Sequence, residues 1–109
     1  MNFKYLLILL ICIVSRVLSS IYYIEDIDSL RFALSNENFD VINNRPHFPG
    51  YPIFCFLSKI FFSISNSSAI SFSIIGGFAV FLIYYYIHKI LCLFGFEKTH
   101  WVVFFIIFS

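Results

Sequence analysis

Two long runs of apolar residues constrain this chain more than any other feature. The first extends from Tyr5 to Ile24 and the second from Ala69 to Leu93. An α-helix rises about 1.5 Å per residue, so about twenty apolar residues are enough to cross the hydrocarbon layer of a bilayer. We therefore predict transmembrane helices at residues 1–24 and 69–93.

The overall composition agrees with that interpretation. The chain is 61% hydrophobic and 12% charged, whereas soluble domains carry about 25% charged residues. A net charge of +1 provides no basic field for nucleic acid, so we expect membrane lipid as a partner and no nucleic acid. The three cysteines lie inside apolar runs without metal-ligand spacing, which favours small buried hydrophobic residues over metal or disulfide chemistry: Cys12, Cys55 and Cys92.

The first apolar run has a competing interpretation as a secretory signal peptide, because Lys4 precedes it. Arg16 lies where a cleavage region is normally small and uncharged, and this favours a retained helix. A cation within a membrane helix suggests a polar cavity or a partner anion, or it reaches outward to the headgroups. We expect Arg16 to help hold a lipid phosphate.

The second apolar run carries a notch of small residues. Ser73 and Gly77 are four residues apart, with Gly76 beside them, and this spacing lets another helix approach closely. The alternative is that glycine is merely tolerated on a lipid-facing surface. Three consecutive tyrosines at 84–86, followed by His88 and Lys89, are typical of the membrane–water boundary.

A third apolar run begins at Trp101, and we interpret residues 101–109 as the start of a truncated third transmembrane helix after a cytoplasmic turn at 94–100. Counting basic residues gives almost the same number on each side of the predicted spans. Five of the six acidic residues lie in the loop, which we therefore place outside. This predicts a protein of the bacterial plasma membrane, with a cytoplasmic amino terminus and residues 25–68 external.

Within the loop, two short helices are predicted. The first has Ile27, Leu30 and Leu34 on one side and a polar flank on the other: Asp28, Arg31 and Ser35. The second follows Tyr51, with Pro52 in its first turn and an apolar face that is too short to span: Ile53, Phe56, Leu57, Ile60 and Ile64. The fold class is thus an all-α membrane protein, with two complete transmembrane helices, interfacial loop helices and a truncated third span.

The segment EDIDSLRFALSNENFDVINNRPHFPGYPIFCF at residues 25–56 places an acidic cluster directly after the first span and a PHFPGYP turn further on. This order resembles the first external loop of GT-C glycosyltransferases, such as protein O-mannosyltransferases and lipid A aminoarabinose transferases. The resemblance implies a sugar donor linked to polyprenyl phosphate, and it does not decide whether a divalent metal takes part. In that family a carboxylate at the start of the loop is the general base on the acceptor hydroxyl.

Asp28 matches the position of that base best, followed by Asp26 and then Glu25. Two structural alternatives remain open, since Asp26 suits the N-cap of the loop helix and Asp28 can pair with Arg31. The resemblance also implies that Arg45 and His47 contact the carrier phosphate and that Tyr51 stacks on sugar or lipid. His47 is equally compatible with a role in stabilising the turn.

Two functions are compatible with these features. The first is an amino-terminal piece of a polyprenyl-phosphate-dependent glycosyltransferase, inactive alone because its catalytic cavity needs further helices. The second is a small non-enzymatic membrane protein that binds another helix through Ser73 and Gly77.

Overall fold

The computed structural model describes residues 3–23, 26–96, 101–103 and 105. Four helices follow one another in the chain: α1 (Phe3–Leu18), α2 (Ile27–Glu37), α3 (Pro52–Ser65) and α4 (Ser68–Leu93). Residues 101–103 and 105 are also helical, and Val103 is buried against α1 and α4. The described residues contain no β-strand, only an isolated bridge between Asp40 and Arg45. The all-α class is as predicted.

Within the described residues, α4 is the one helix that is long and apolar enough to cross a membrane. Its 26 residues rise about 39 Å, and its bounds agree with the predicted span at 69–93. This length and composition favour association with a membrane.

The first predicted span is shorter than expected, because α1 has 16 residues and ends at Leu18. It rises about 24 Å, which is less than the thickness of the hydrocarbon layer of about 30 Å. Serine hydroxyls bond backward to the helix carbonyls near this end, Ser19 to Ser15 at 2.9 Å and Ser20 to Val17 at 2.8 Å. Such local bonds compete with continuation of the helix. The structure therefore shows one complete candidate span rather than two.

The notch in α4 is occupied by α1 of the same chain. A Cβ atom built on Gly77 would lie 2.7 Å from the Cα of Ile13 and 3.1 Å from the carbonyl oxygen of Cys12. Only a residue without a side chain permits this approach of the two backbones. A partner from another chain at Ser73 and Gly77 stays a prediction, but at Gly77 α1 already lies in the space that it would use.

Aromatic residues bring one end of α1 to the opposite end of α4. Tyr5 packs edge-on against Tyr85 at 5.5 Å between ring centroids, and Tyr84 stacks on His88 at 6.1 Å. Lys89 Nζ lies 5.7 Å from the ring centre of Tyr85. The two helices are therefore antiparallel, with the predicted boundary residues gathered at one end.

The two loop helices begin as the sequence predicts. Asp26 is the N-cap of α2, and its carboxylate accepts a hydrogen bond from Ser29 N at 2.7 Å. Pro52 occupies the first turn of α3, where a missing N–H costs nothing. The apolar face of α3 points outward, with Ile53, Phe56 and Ile64 exposed.

A buried asparagine joins α2 to the next two helices. Asn36 is almost fully buried. Its Oδ1 accepts from Ser58 Oγ at 2.6 Å, and its Nδ2 donates to Ser68 Oγ at 3.0 Å. Ser35, which was predicted on the polar flank of α2, is instead buried and donates to the carbonyl of Phe32 at 2.7 Å. The side of α2 that includes Ser35 and Asn36 thus packs against α3 and α4.

Candidate functional site

The corner that carries the site is made by the turn between α2 and α3. Gly50 has φ +91°, and a Cβ there would lie 3.0 Å from Val41 Cγ2. Tyr51 follows with φ 41°, a left-handed conformation that is uncommon for a residue with a side chain. These two residues reverse the chain so that the turn lies against the first half of α2.

The structure brings Asp28 and His47 together across this corner. His47 Nδ1 lies 3.6 Å from Asp28 Oδ1. His47 Nδ1 is buried, and no atom in the described part of the chain makes a hydrogen bond with it. A small approach of the two side chains would complete a bond between the carboxylate and the imidazole.

Asp28 has a second neighbour on its own helix. Arg31 Nη1 lies 3.4 Å from the same oxygen, Oδ1, while 62% of the Asp28 side chain remains exposed. An exposed pair of this kind contributes less than about 1 kcal/mol to stability, so the pair alone would be an ordinary helix-surface contact. No described residue bonds to the other oxygen, Oδ2, which leaves that atom open to a bound molecule.

Aromatic rings form the wall beside this carboxylate. His47, Phe32 and Tyr51 pack against one another, and each pair of ring centroids is 5.5 Å apart. Phe54 of α3 extends the wall, 5.2 Å from Phe32. An aromatic wall beside an exposed carboxylate suits a ligand that carries both hydroxyl groups and an apolar surface.

No family model matches this chain. No curated protein matches it either, and no solved structure does. The arrangement of side chains at the corner is therefore what bears on function, and the resemblance to GT-C glycosyltransferases stays a prediction.

The other predicted carboxylates are placed differently. Asp26 caps α2, and hydrogen bonds from the backbone and hydroxyl of Ser29 hold the pKa of its carboxyl below the ordinary value. It lines a separate cavity of about 310 Å³, together with Ser29 and Ala33 of α2 and residues 67–69 and 72 at the start of α4. Glu25 lies outside the described residues. Asp26 and Asp28 thus face different surroundings.

Two predicted phosphate contacts lie apart from this group. Arg45 is exposed, and its backbone pairs with Asp40 through hydrogen bonds of 2.7 and 2.8 Å. Arg16 is exposed on α1. No described contact joins either side chain to Asp28, whereas His47 and Tyr51 do belong to the cluster. Among the described residues, no group of three or more His, Cys, Asp or Glu side chains is placed to hold a metal ion.

The sequence did not predict that Phe32 belongs to the site or that Asn36 joins α2 to α3 and α4. Phe32 contacts both His47 and Tyr51, and it lies four residues after Asp28. That spacing places it above Asp28 on one helical face, and the spacing was the available signal. Asn36 shows no comparable signal, because its two serine partners are distant in sequence.

Proposed function

We propose that the corner at Asp28 is the acceptor site of a glycosyltransferase that moves a sugar from a polyprenyl-phosphate donor to a hydroxyl on the external side of the membrane. The observation that carries the proposal is the state of the Asp28 carboxylate. Arg31 and His47 approach its Oδ1 at 3.4 and 3.6 Å, while Oδ2 has no partner in the described chain. One oxygen is oriented by its neighbours and the other is available for chemistry.

In this mechanism Asp28 Oδ2 removes the proton of the acceptor hydroxyl. The hydroxyl oxygen then forms a bond to the anomeric carbon, and the bond from that carbon to the lipid phosphate breaks. The phosphate leaves with the electron pair from the opposite face, so the anomeric configuration inverts. Arg31 and His47 are positioning residues in this scheme, since they hold the carboxylate rather than the substrate.

The aromatic wall supports the same use of the site. Tyr51 and Phe32 offer flat apolar surfaces next to the carboxylate, and the apolar face of a sugar ring packs well on such surfaces. His47 lies between these rings and Asp28, and its predicted contact with the carrier phosphate stays a prediction. Further membrane helices, from the same polypeptide or a partner, complete the walls of the cavity in this proposal.

The test is sugar transfer in membrane vesicles that contain the natural full-length protein. The donors are radiolabelled sugars on synthetic polyprenyl phosphate, and the transfer to membrane acceptors is measured. Asp28→Asn should lower the rate about 100-fold or more, because a general base contributes that much. Glu37→Gln is the matched control, since it removes the same charge from the exposed end of α2 and should leave the rate unchanged.

Three results would contradict the proposal. One is an unchanged rate in correctly inserted Asp28→Asn protein. Another is the absence of transfer from every polyprenyl-phosphate sugar with correctly inserted wild-type protein. The last is labelling of an introduced Asn43→Cys only from the cytoplasmic side, because a lipid-linked donor on the external face could not then reach the loop.

A further inference from the structure

A groove next to Lys59 is not used by the mechanism above. It has a volume of about 340 Å³ and lies between the second half of α2 and α3. Six residues line it: Ser35, Phe39, Pro52, Cys55, Phe56 and Lys59. Its residues are apolar except for one hydroxyl, one thiol and one ammonium group.

Lys59 lines the groove chiefly with the apolar part of its side chain, and its ammonium group is the ionic group beside the groove that remains available to a ligand. The Ser35 hydroxyl donates to the Phe32 carbonyl at 2.7 Å and contacts Cys55 Sγ at 3.4 Å. Cys55 Sγ in turn contacts the Gly50 carbonyl at 3.5 Å. Lys59 forms no ion pair with any described residue. A single available cation beside an apolar groove is complementary to an anion that carries an apolar chain.

The groove opens onto the outer face of α3. Phe56 lines the groove and is also 66% exposed, and Ile53, Ile60 and Ile64 continue the same apolar surface. With 14 residues, α3 rises about 21 Å, which is too short to cross a bilayer. A helix of this kind lies at the depth of the headgroups, where a lysine extends toward phosphate.

We propose that this groove binds the phosphate headgroup of a membrane lipid, with Lys59 as the anion contact and the lipid chain along Phe39 and Phe56. A lipid is the occupant rather than free phosphate, because the groove is an extended apolar surface with one cation, that of Lys59, beside it. Binding does not require the proposed catalysis. Where both hold, the groove also suits the donor lipid, since Ser35 lies about 10 Å along α2 from Asp28.

The experiment uses the full chain in a neutral maltoside detergent, titrated with phosphatidic acid and monitored by native mass spectrometry. Lys59→Gln should weaken binding about tenfold or more, because a charge-assisted hydrogen bond contributes that much. Lys59→Arg should retain binding. Phe56→Ala should also weaken binding, which tests the contact with the chain.

Lys89→Gln is the matched control. It removes the same charge about 30 Å along α4 from Ser68 and should leave binding unchanged. Phosphatidylcholine and inorganic phosphate should not compete. Equal weakening by Lys59→Gln and Lys89→Gln, unchanged binding in Lys59→Gln, or displacement of the lipid by inorganic phosphate would each overturn the proposal. Helix content by circular dichroism confirms that each variant is folded.

The glycosyltransferase proposal and the lipid-binding proposal can be tested independently of each other. Asp28→Asn should lose sugar transfer while keeping lipid binding. Loss of lipid binding in Lys59→Gln is measured without any transfer assay, so it stands or falls independently of the glycosyltransferase activity.

Discussion

Two parts of α4 contact their neighbours in different ways. From Gly77 onward the helix packs against α1, through the backbone approach at Gly77 and through buried Tyr84. The first turns meet α2 through the hydrogen bond between Ser68 and Asn36. They meet α3 through Ser71, which lies 3.4 Å from Ser65, and through Phe72, whose ring lies 5.5 Å from that of Phe54. The contact with α1 thus depends on shape, because the two backbones approach closely, whereas the contact with α2 depends on a hydrogen bond. A single helix can therefore anchor a rigid apolar pair and, at its other end, a polar corner that carries a site.

The largest effect is expected at the shape-dependent contact. In Gly77→Ala the new Cβ would lie 2.7 Å from Ile13 Cα, a backbone atom that cannot move aside alone. Overpacking of this kind should lower the free energy of unfolding by about 1–3 kcal/mol. The measurement is loss of helix content during titration with a denaturing detergent.

Gly76→Ala is the matched control, because nothing lies within 4 Å of a Cβ at that position. Alanine is also the better helix former by about 1 kcal/mol, so this variant should be as stable as the wild type or more stable. Equal destabilisation by both substitutions would show that α1 does not pack at Gly77.

A smaller effect is expected at the hydrogen-bonded contact. Asn36→Leu leaves Ser58 and Ser68 without their partner and should cost about 1 kcal/mol in the same titration. A double-mutant cycle sharpens the test. In the Asn36→Leu background, Ser58→Ala should cost less than it does in the wild type, since no partner remains to be lost. Strict additivity would contradict the proposed bond.

The smallest effect is expected in the stability of the protein at low pH. The pKa of Asp26 is held below its ordinary value of 3.8 chiefly by the backbone hydrogen bond from Ser29, and that of Asp40 chiefly by the side chain of Asn43. A lowered pKa in the folded state stabilises the protein above the ordinary pKa, and this contribution is lost as the pH falls through the lowered pKa. Stability should therefore decline below about pH 4.

The double variant Asp26→Asn/Asp40→Asn should show less of that decline, whereas Glu37→Gln should retain it. Unfolding followed from pH 7 to pH 2.5 distinguishes the two. Because Asp26 caps the start of α2 and Asp40 lies in the turn after its end, the acid sensitivity should appear first as a loss of α2.

Local signals allowed most of the helices to be predicted. Asp26 and Pro52 mark the starts of α2 and α3, and continuous hydrophobicity marks α4. The end of α1 was missed because hydropathy alone does not show that Ser19 and Ser20 bond back to the helix. The contact of Asp28 with His47 was not predicted, since it depends on the reversal of the chain at Gly50 and Tyr51. The hydrogen bonds of Asn36 could not be predicted from local sequence, because its partners lie 22 and 32 residues away along the chain.

The shortness of α1 has a consequence for the bilayer itself. Tyr5 packs against Tyr85, which lies well before the end of α4 at Leu93, so α4 extends past α1 at this end as well as at the end next to α2. In a bilayer spanned by α4, α1 is about 6 Å shorter than the hydrocarbon layer. A mismatch of this size favours local thinning of the bilayer beside α1, so the lipids that contact α1 should be more compressed than those that contact the rest of α4.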